Sequence, residues 1–289
     1  MQDYKTGKWA AEIIAAQKDD GSWGNNFHSL SMPVSKQPLT TEQALGRLRR
    51  LGFTKEDPVI KKALSYLQDC LTGKKTISDT REKRMDFDIF ASLMFAVWIR
   101  RFTRDDLYAN DVANKWKFIT AAAVQNGYYE HDTYIETFYD IMKPKYGTAA
   151  RTRQFFRPEY YYLISILAGE IDKCIEEVYF DYIMNSEKGY YYGHDGAVTR
   201  LPKSFCTKAA SAYLSAIELY CEHPNRYYKD KMKFVVDWLN SNKNVNGKWD
   251  MSAAVKDGSH FPLSDSWRTA AYREQDCTYR ITKIISALE

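Results

Sequence analysis

Polar and charged side chains recur at the start of each of the more apolar stretches of this 289-residue chain. In chain order, these positions are Thr40, Thr41 and Glu42; Asp86 and Asp88; Arg157, Glu159 and Tyr160; Ser204, Cys206 and Lys208; and Arg273, Asp276, Cys277 and Arg280. Acids and bases gathered around one pocket would bind or process a polar ligand. The alternative is structural, because Ser, Thr and Asp cap helix N-termini and acids there complement the helix dipole.

Three cations do not fit the capping alternative. Lys208, Arg273 and Arg280 would each lie near a helix N-terminus, where a positive charge is disfavoured and requires an acidic partner or a ligand. From these positions we select the candidate ligand-binding residues Glu42, Glu159, Tyr160, Cys206, Lys208, Asp276 and Arg280. Phe95 and Trp98, from the most apolar stretch, are added as candidates that line the cavity.

A short sequence motif that ends in a glycine followed closely by an aromatic residue is repeated along the chain. Its clearest copies are Gln17–Trp23 and Trp238–Trp249. Including weaker copies, five turns fall at about residues 17–24, 67–75, 124–131, 186–193 and 243–250. A spacing of roughly 50–60 residues is typical of an array of similar supersecondary units.

Each unit is predicted to contain two helices. A stretch with a charged face precedes each turn, at residues 8–17, 58–71, 111–124, 171–185 and 226–240. A more apolar stretch follows each turn, at residues 40–51, 86–102, 158–169, 204–220 and 268–288. Strand-like alternation is absent, so the class is all-α. One pair cannot bury its apolar faces alone, which favours an α/α toroid of five to six pairs of inner and outer helices.

A single toroid domain would therefore span residues 1–289, with the inner helices around a central cavity. Three irregular stretches, at residues 24–37, 127–157 and 251–267, are longer than plain connections and are typical of lids, binding loops or disorder. One further short helix is predicted at residues 132–141.

The Gln-x-x-x-Gly-x-Trp phrase resembles the QW motif of the terpenoid cyclase and protein prenyltransferase superfamily, to which squalene-hopene cyclase belongs. The resemblance covers Trp9 to Leu288 and implies the same α/α toroid with a central cavity. It also implies that Gln17, Trp23 and Trp249 have structural roles and tie outer helices together.

Asp86-Phe87-Asp88 resembles the Asp-x-Asp-Asp motif of the class II cyclases in this superfamily, with Ile89 in place of the last aspartate. The resemblance implies that Asp88, with Asp86 beside it, protonates an isoprenoid alkene or epoxide. Such an acid must stay protonated at rest, which requires burial or a neighbouring negative charge. Residues two apart on a helix do not face each other, so Asp86 would be a poor partner for Asp88.

Composition restricts the remaining classes of function. The net charge is +4 and the basic residues are scattered, so we expect no nucleic-acid partner. No apolar run is long enough for an integral membrane segment, and no signal peptide is visible at the N-terminus. Five irregularly spaced cysteines favour free thiols and a cytoplasmic location. We find no spacing typical of a zinc site and no phosphate-binding loop, and therefore expect no metal or cofactor. No nucleophile elbow is visible, but the sequence leaves a Ser/Cys–His–acid triad open.

Two main hypotheses follow for a small-molecule ligand in the central cavity. The first is a terpene cyclase-like protein with protonation-initiated isoprenoid cyclisation. The second is a non-cyclase toroid that binds or processes a saccharide or peptide at the cavity mouth. A non-catalytic interaction protein is a further alternative, and the sequence leaves the substrate and the oligomeric state open.

Overall fold

The computed structural model describes residues 3–28, 39–79, 86–144, 156–190, 194–224 and 228–289. Over these ranges the chain forms helices and no strand. The helices are α1 (Lys8–Ala15), α2 (Thr41–Arg50), α3 (Pro58–Leu71), α4 (Phe87–Arg100), α5 (Leu107–Val124), α6 (His131–Met142), α7 (Tyr161–Leu167), α8 (Lys173–Met184), α9 (Lys208–Tyr220), α10 (Tyr228–Lys231), α11 (Lys233–Ser241) and α12 (Ala270–Leu288). The predicted all-α class is confirmed.

Most helix boundaries lie within a few residues of their predicted positions. The helix α3 has the predicted ends, with Pro58 at its first position, and α6 is the predicted extra helix. The helix α5 begins four residues before the predicted start, because Asp106 accepts a hydrogen bond from the backbone N–H of Ala109 and caps it there. The stretch predicted as one helix at residues 226–240 contains two helices, α10 and α11.

The glycines of all five repeated turns have positive φ, namely Gly21, Gly73, Gly127, Gly189 and Gly247. At Gly21 a side chain is also excluded by space, since a Cβ atom would lie 2.3 Å from the carbonyl oxygen of Lys62 in α3. Nε2 of Gln17 donates to the carbonyl oxygens of Gly21 and Val59, at 3.0 and 2.9 Å. Gln17 therefore ties the first turn to α3, across two repeats.

The two tryptophans of the clearest turns make matching contacts. Nε1 of Trp23 donates to the carbonyl oxygen of Ile13 at 2.7 Å, and Nε1 of Trp249 donates to that of Leu239 at 2.6 Å. Both rings are buried. Each tryptophan thus holds the last turn of the helix that precedes it, α1 or α11.

The first and last parts of the chain are in contact. Nε1 of Trp9 donates to the carbonyl oxygen of Ser264 at 2.9 Å, and Nη2 of Arg47 donates to that of Pro262 at 2.6 Å. Between them, α4 is buried nearly all round and packs against α3, α5 and α7, and α7 packs against α9. Closure of the helices into a toroid stays a prediction, and these are contacts that it requires.

The buried apolar side chains of the described ranges form one connected core. All five cysteines are free thiols. Among the helices of the described ranges, none is long and apolar enough to cross a bilayer.

Candidate functional site

Two adjoining cavities, of about 320 and 260 Å³, lie between α2, α9, α12 and residues 257–263. They share five lining residues, Arg49, Arg50, Glu218, Glu222 and His260. Together we name them the Arg50 cleft. Their volumes are near the lower end of the roughly 300–1,000 Å³ that small-molecule sites occupy.

One wall of the Arg50 cleft is an ion pair between the buried Arg280 of α12 and the half-buried Glu218 of α9. Nε of Arg280 donates to Oε1 of Glu218 at 2.7 Å, and Nη1 donates to Oγ of Ser211 at 2.9 Å. Burial alone would raise the pKa of Glu218, but Arg280 and the nearby Arg50 lower it to about 2. Glu218 is therefore a carboxylate at neutral pH, and Arg280 has its charge compensated within the protein.

A second ion-paired group lies where α2, α4 and α9 end. Glu222 accepts a hydrogen bond from Oγ of Ser165 at 2.7 Å and lies 3.2 Å from Nη1 of Arg49 and 3.4 Å from Nε of Arg101. The guanidinium carbon of Arg101 lies 4.7 Å from the ring centroids of both Trp98 and Tyr161, within cation–π distance. These contacts fix both arginines in place.

Arg50 differs from Arg49, Arg101 and Arg280, which all form ion pairs. Its Nη1 donates to the carbonyl oxygen of Gly46, one turn back on α2, at 3.1 Å. No carboxylate of the described ranges forms an ion pair with it, although it lines both cavities. Burial, Arg280 and Arg49 together lower the pKa of Arg50, despite the opposing effect of Glu218. A guanidinium without an ion-pair partner in a partly enclosed space indicates an anion-binding position.

Glu42 is held by three aromatic side chains at the other end of the cleft. Its Oε2 lies 2.7 Å from Nδ1 of His28, Nε1 of Trp98 donates to its Oε1 at 3.0 Å, and the Tyr162 hydroxyl also donates to Oε1. Burial would raise the pKa of Glu42, but these partners lower it to about 2. The carboxylate is thus ionised at neutral pH and already satisfied by the protein.

A serine, a histidine and an aspartate form a chain of hydrogen-bond contacts on one wall of the cleft. Oγ of Ser215, on α9, lies 2.7 Å from Nε2 of His260, and Nδ1 of His260 lies 2.8 Å from Oδ2 of Asp257. Oδ1 of Asp257 accepts hydrogen bonds from the backbone N–H groups of Ser259, His260 and Phe261. The loop between α11 and α12 therefore presents His260 to α9 in one orientation.

Four of the predicted binding residues line the Arg50 cleft, namely Glu42, Trp98, Lys208 and Arg280. Two of the three cations named in the sequence analysis have the expected acidic partners, Asp250 for Arg273 and Glu218 for Arg280. Lys208 is exposed, and the described residues provide no carboxylate paired with it.

Asp276 has a structural role in place of the predicted ligand contact. It is fully buried, and its Oδ2 accepts hydrogen bonds from the backbone N–H groups of Leu263 and Ser264 and from Nε1 of Trp267. The Tyr4 hydroxyl donates to its Oδ1 at 3.0 Å. The carboxylate holds the loop before α12 and ties it to the start of the chain.

The other predicted binding residues also lie outside the residues that line the cleft. Glu159 is buried beside Arg157 and accepts a hydrogen bond from the Ser186 hydroxyl at 3.1 Å. Tyr160 is buried and is the residue before α7. Cys206 is exposed, with its Sγ 3.6 Å from the carbonyl oxygen of Asp250.

The two predicted catalytic aspartates occupy the start of α4. Asp86 is buried and caps the helix, and its Oδ1 accepts hydrogen bonds from the backbone N–H groups of Asp88 and Ile89 at 3.1 and 3.3 Å. Asp88 is exposed and lines a separate groove of about 420 Å³. The same groove is lined by Phe95, which was predicted to line the cavity, and by Lys75, which was not a candidate. Exposure removes the burial that would keep Asp88 protonated, so its position does not favour a proton-donor role.

Sequence reasoning missed Arg50, Ser215, Asp257 and His260. Arg50 and Ser215 lie in the last turn of α2 and the middle of α9, whereas the polar candidates come from predicted helix starts. A usable signal was Asp257-Gly258-Ser259-His260 within the long stretch 251–267, because an aspartate can bind backbone N–H groups two and three residues later and orient a histidine there.

Compared with known protein families, curated proteins and solved structures, the chain matches none of them. The resemblance to the terpenoid cyclase superfamily therefore rests only on the repeated motif and on Asp86-Phe87-Asp88.

Proposed function

We propose that this protein binds a small polar molecule with a carboxylate or phosphate group in the Arg50 cleft. The observation that carries the proposal is Arg50, the guanidinium that lines both cavities without an ion-pair partner in the described ranges. A planar guanidinium has parallel N–H groups and binds a carboxylate or phosphate with two hydrogen bonds.

The charges around Arg50 support this ligand chemistry. Arg49 and Arg101 share Glu222, and Arg280 is paired with Glu218. Each of these three arginines thus has a carboxylate at ion-pair distance, whereas Arg50 has none at that distance in the described ranges and is attracted by Glu218 from further away. Burial opposes the charged form of Arg50, so an anionic ligand would supply the interaction that offsets the lost hydration. The exposed Lys208 at the same cavity adds a second positive charge.

The charged side chains of the 260 Å³ cavity favour the second sequence hypothesis over cyclisation of an isoprenoid. A hydrocarbon substrate would displace water from Arg50 and from the ion-paired groups without offering hydrogen bonds in return. An acidic saccharide or a short acidic peptide carries both hydrogen-bonding groups and a negative charge. Cyclase activity stays a prediction that Asp88 would have to carry from an exposed position.

Thermal unfolding with matched probes tests the proposal. Glucuronate and glucose differ by one carboxylate, and citrate and inorganic phosphate extend the range of anions. At constant ionic strength, we expect glucuronate, citrate or phosphate to raise the melting temperature and glucose not to do so. A ligand at about 100 times its dissociation constant stabilises the folded state by roughly 2.7 kcal/mol.

Two variants separate the cleft from general charge effects. Arg50→Gln should abolish the stabilisation by anions, while Arg268→Gln removes the same charge from an exposed position outside the cleft and should preserve it. The proposal fails if no anion stabilises the wild-type protein, or if Arg50→Gln responds as the wild type does.

A further inference from the structure

The contact between Ser215, His260 and Asp257 has the connectivity of a nucleophile, a base and an orienting acid. The hydroxyl oxygen lies 2.7 Å from one imidazole nitrogen, and the carboxylate lies 2.8 Å from the other. All three side chains line the 260 Å³ cavity of the Arg50 cleft. Ser215 is 8% exposed, so its hydroxyl is shielded by the protein on most sides and borders the cavity.

Proton positions follow from the partners. A carboxylate only accepts hydrogen bonds, so Nδ1 of His260 carries the proton that Asp257 binds, and Nε2 can only accept. The single proton of the Ser215 hydroxyl has two acceptors within reach, Nε2 of His260 at 2.7 Å and the carbonyl oxygen of Ser211 at 3.1 Å, and the imidazole nitrogen is the nearer. Burial, with Arg50 and Arg280 nearby, lowers the pKa of His260 to about 4 despite the opposing effect of Asp257. At neutral pH the imidazole is therefore in its neutral, proton-accepting form, and the same charges make it a weaker base than an ordinary histidine.

Arg280 is placed to support negative charge on the serine oxygen. Its Nη2 donates to Oγ of Ser215 at 3.0 Å. A fixed cation at this distance stabilises the oxygen as it loses its proton, because hydrogen bonds to charged groups strengthen as charge develops. Arg50, on the same cavity, offers further N–H donors to an oxyanion.

We propose that Ser215, His260 and Asp257 form a catalytic site that hydrolyses an ester bound in the Arg50 cleft. Oγ of Ser215 attacks the ester carbonyl carbon while its proton passes to Nε2 of His260. The bond from carbon to the alcohol oxygen breaks, and His260 returns the proton to the departing alcohol. A water molecule from solvent, deprotonated by His260, then attacks the acyl–serine and releases the carboxylic acid and the free hydroxyl of Ser215.

This activity goes beyond ligand binding and rests on a different observation. Anion binding depends on the unpaired Arg50, whereas hydrolysis depends on the contact between Ser215 and His260. The competing explanation is that the three side chains only hold the loop between α11 and α12 against α9. A structural hydrogen-bond network would not make one serine react with an electrophile.

Covalent labelling distinguishes the two explanations. The full-length protein is incubated with an alkyl fluorophosphonate, and the labelled peptide is identified by mass spectrometry. We expect one adduct, on Ser215, formed with loss of fluoride. Ser215→Ala should give no adduct, and His260→Gln should slow the reaction by roughly 100-fold or more, since a general base contributes about 10²–10⁴ in rate. Hydrolysis of p-nitrophenyl acetate should fall in parallel.

Ser22→Ala is the matched control. Ser22 is also a buried serine, but it lies in the first repeated turn, outside the Arg50 cleft, and its hydroxyl donates to the carboxylate of Asp20 and not to an imidazole. This variant should be labelled as fast as the wild type. Absence of an adduct on Ser215 in the wild-type protein, while a known serine esterase is labelled alongside, would refute the proposal. Equal labelling rates for wild type and His260→Gln would refute it as well.

Discussion

Replacement of Trp23 by alanine should destabilise the fold strongly, because this residue joins the first two helices. Its ring is 1% exposed, and Nε1 donates to the last turn of α1 through the carbonyl oxygen of Ile13. Its backbone N–H donates to Oγ1 of Thr41 at 2.9 Å, and that hydroxyl donates back to the Trp23 carbonyl oxygen at 3.2 Å. The helix held in this way is α2, which carries Glu42 and Arg50 into the cleft.

The expected decrease in unfolding free energy has two separable contributions, the lost burial of the ring and the lost hydrogen bond. Removal of a buried tryptophan ring costs roughly 3–5 kcal/mol of unfolding free energy, from lost burial and from the cavity left behind. Trp23→Phe keeps most of the apolar surface but leaves the carbonyl oxygen of Ile13 without this donor, which costs about 1–3 kcal/mol. The phenylalanine variant should therefore fall between wild type and alanine.

Urea unfolding, followed by far-ultraviolet circular dichroism, measures both losses. Phe118→Ala serves as the control, because Phe118 is 63% exposed and its removal should change the free energy by less than about 0.5 kcal/mol. The slope with urea should be unchanged, so that a shift in midpoint reports stability. If Trp23→Ala costs no more than Phe118→Ala, the tryptophan does not hold α1 and the structural reasoning for the repeated turns is refuted.

Two further predictions concern carboxylates. The partners of Glu42 lower its pKa from 4.5 to about 2 in the folded state, which corresponds to roughly 3 kcal/mol of stability at pH values above 4.5. This contribution should be lost as the pH falls from 4.5 toward 2. Urea unfolding at several pH values should show the difference between wild type and Glu42→Gln shrink over this window, and a constant difference would contradict the assignment. Asp88→Asn, at an exposed position, should change the unfolding free energy by less than about 0.5 kcal/mol. Loss of isoprenoid turnover in that variant, measured against an active wild type, would instead support the cyclase prediction.

Local rules determined much of the helical framework. Pro58 at the first position of α3, Asp106 as the cap of α5 and the left-handed glycine of each repeated turn act over a few residues of chain. Such interactions are readable from the order of the residues because both partners lie within one or two turns of each other. The helical period of apolar residues likewise predicts which face is buried, as in α4.

The same rules misjudged which polar residues are available to a ligand. Asp276 and Arg280 lie one turn apart near the middle of α12, yet Asp276 is hydrogen-bonded to the loop at residues 263–267, whereas Arg280 lines the cleft. Residues four apart share one face of a helix, so their positions in the sequence do not distinguish them. The distinction depends on which distant segments pack against each turn of the helix.

Only the tertiary structure decided the candidate site. Ser215 and His260 meet across 45 residues of chain, and Arg50 of α2 lies in the same cleft as Glu218 of α9. Whether Arg50 has a partner depends on where every nearby carboxylate is already bound: Glu218 to Arg280, and Glu222 to Arg49 and Arg101. The sequence by itself determined the repeated helices, because capping, turns and periodicity are local. Whether a charge in a cleft has an ion-pair partner depends instead on which distant segments the tertiary structure brings together.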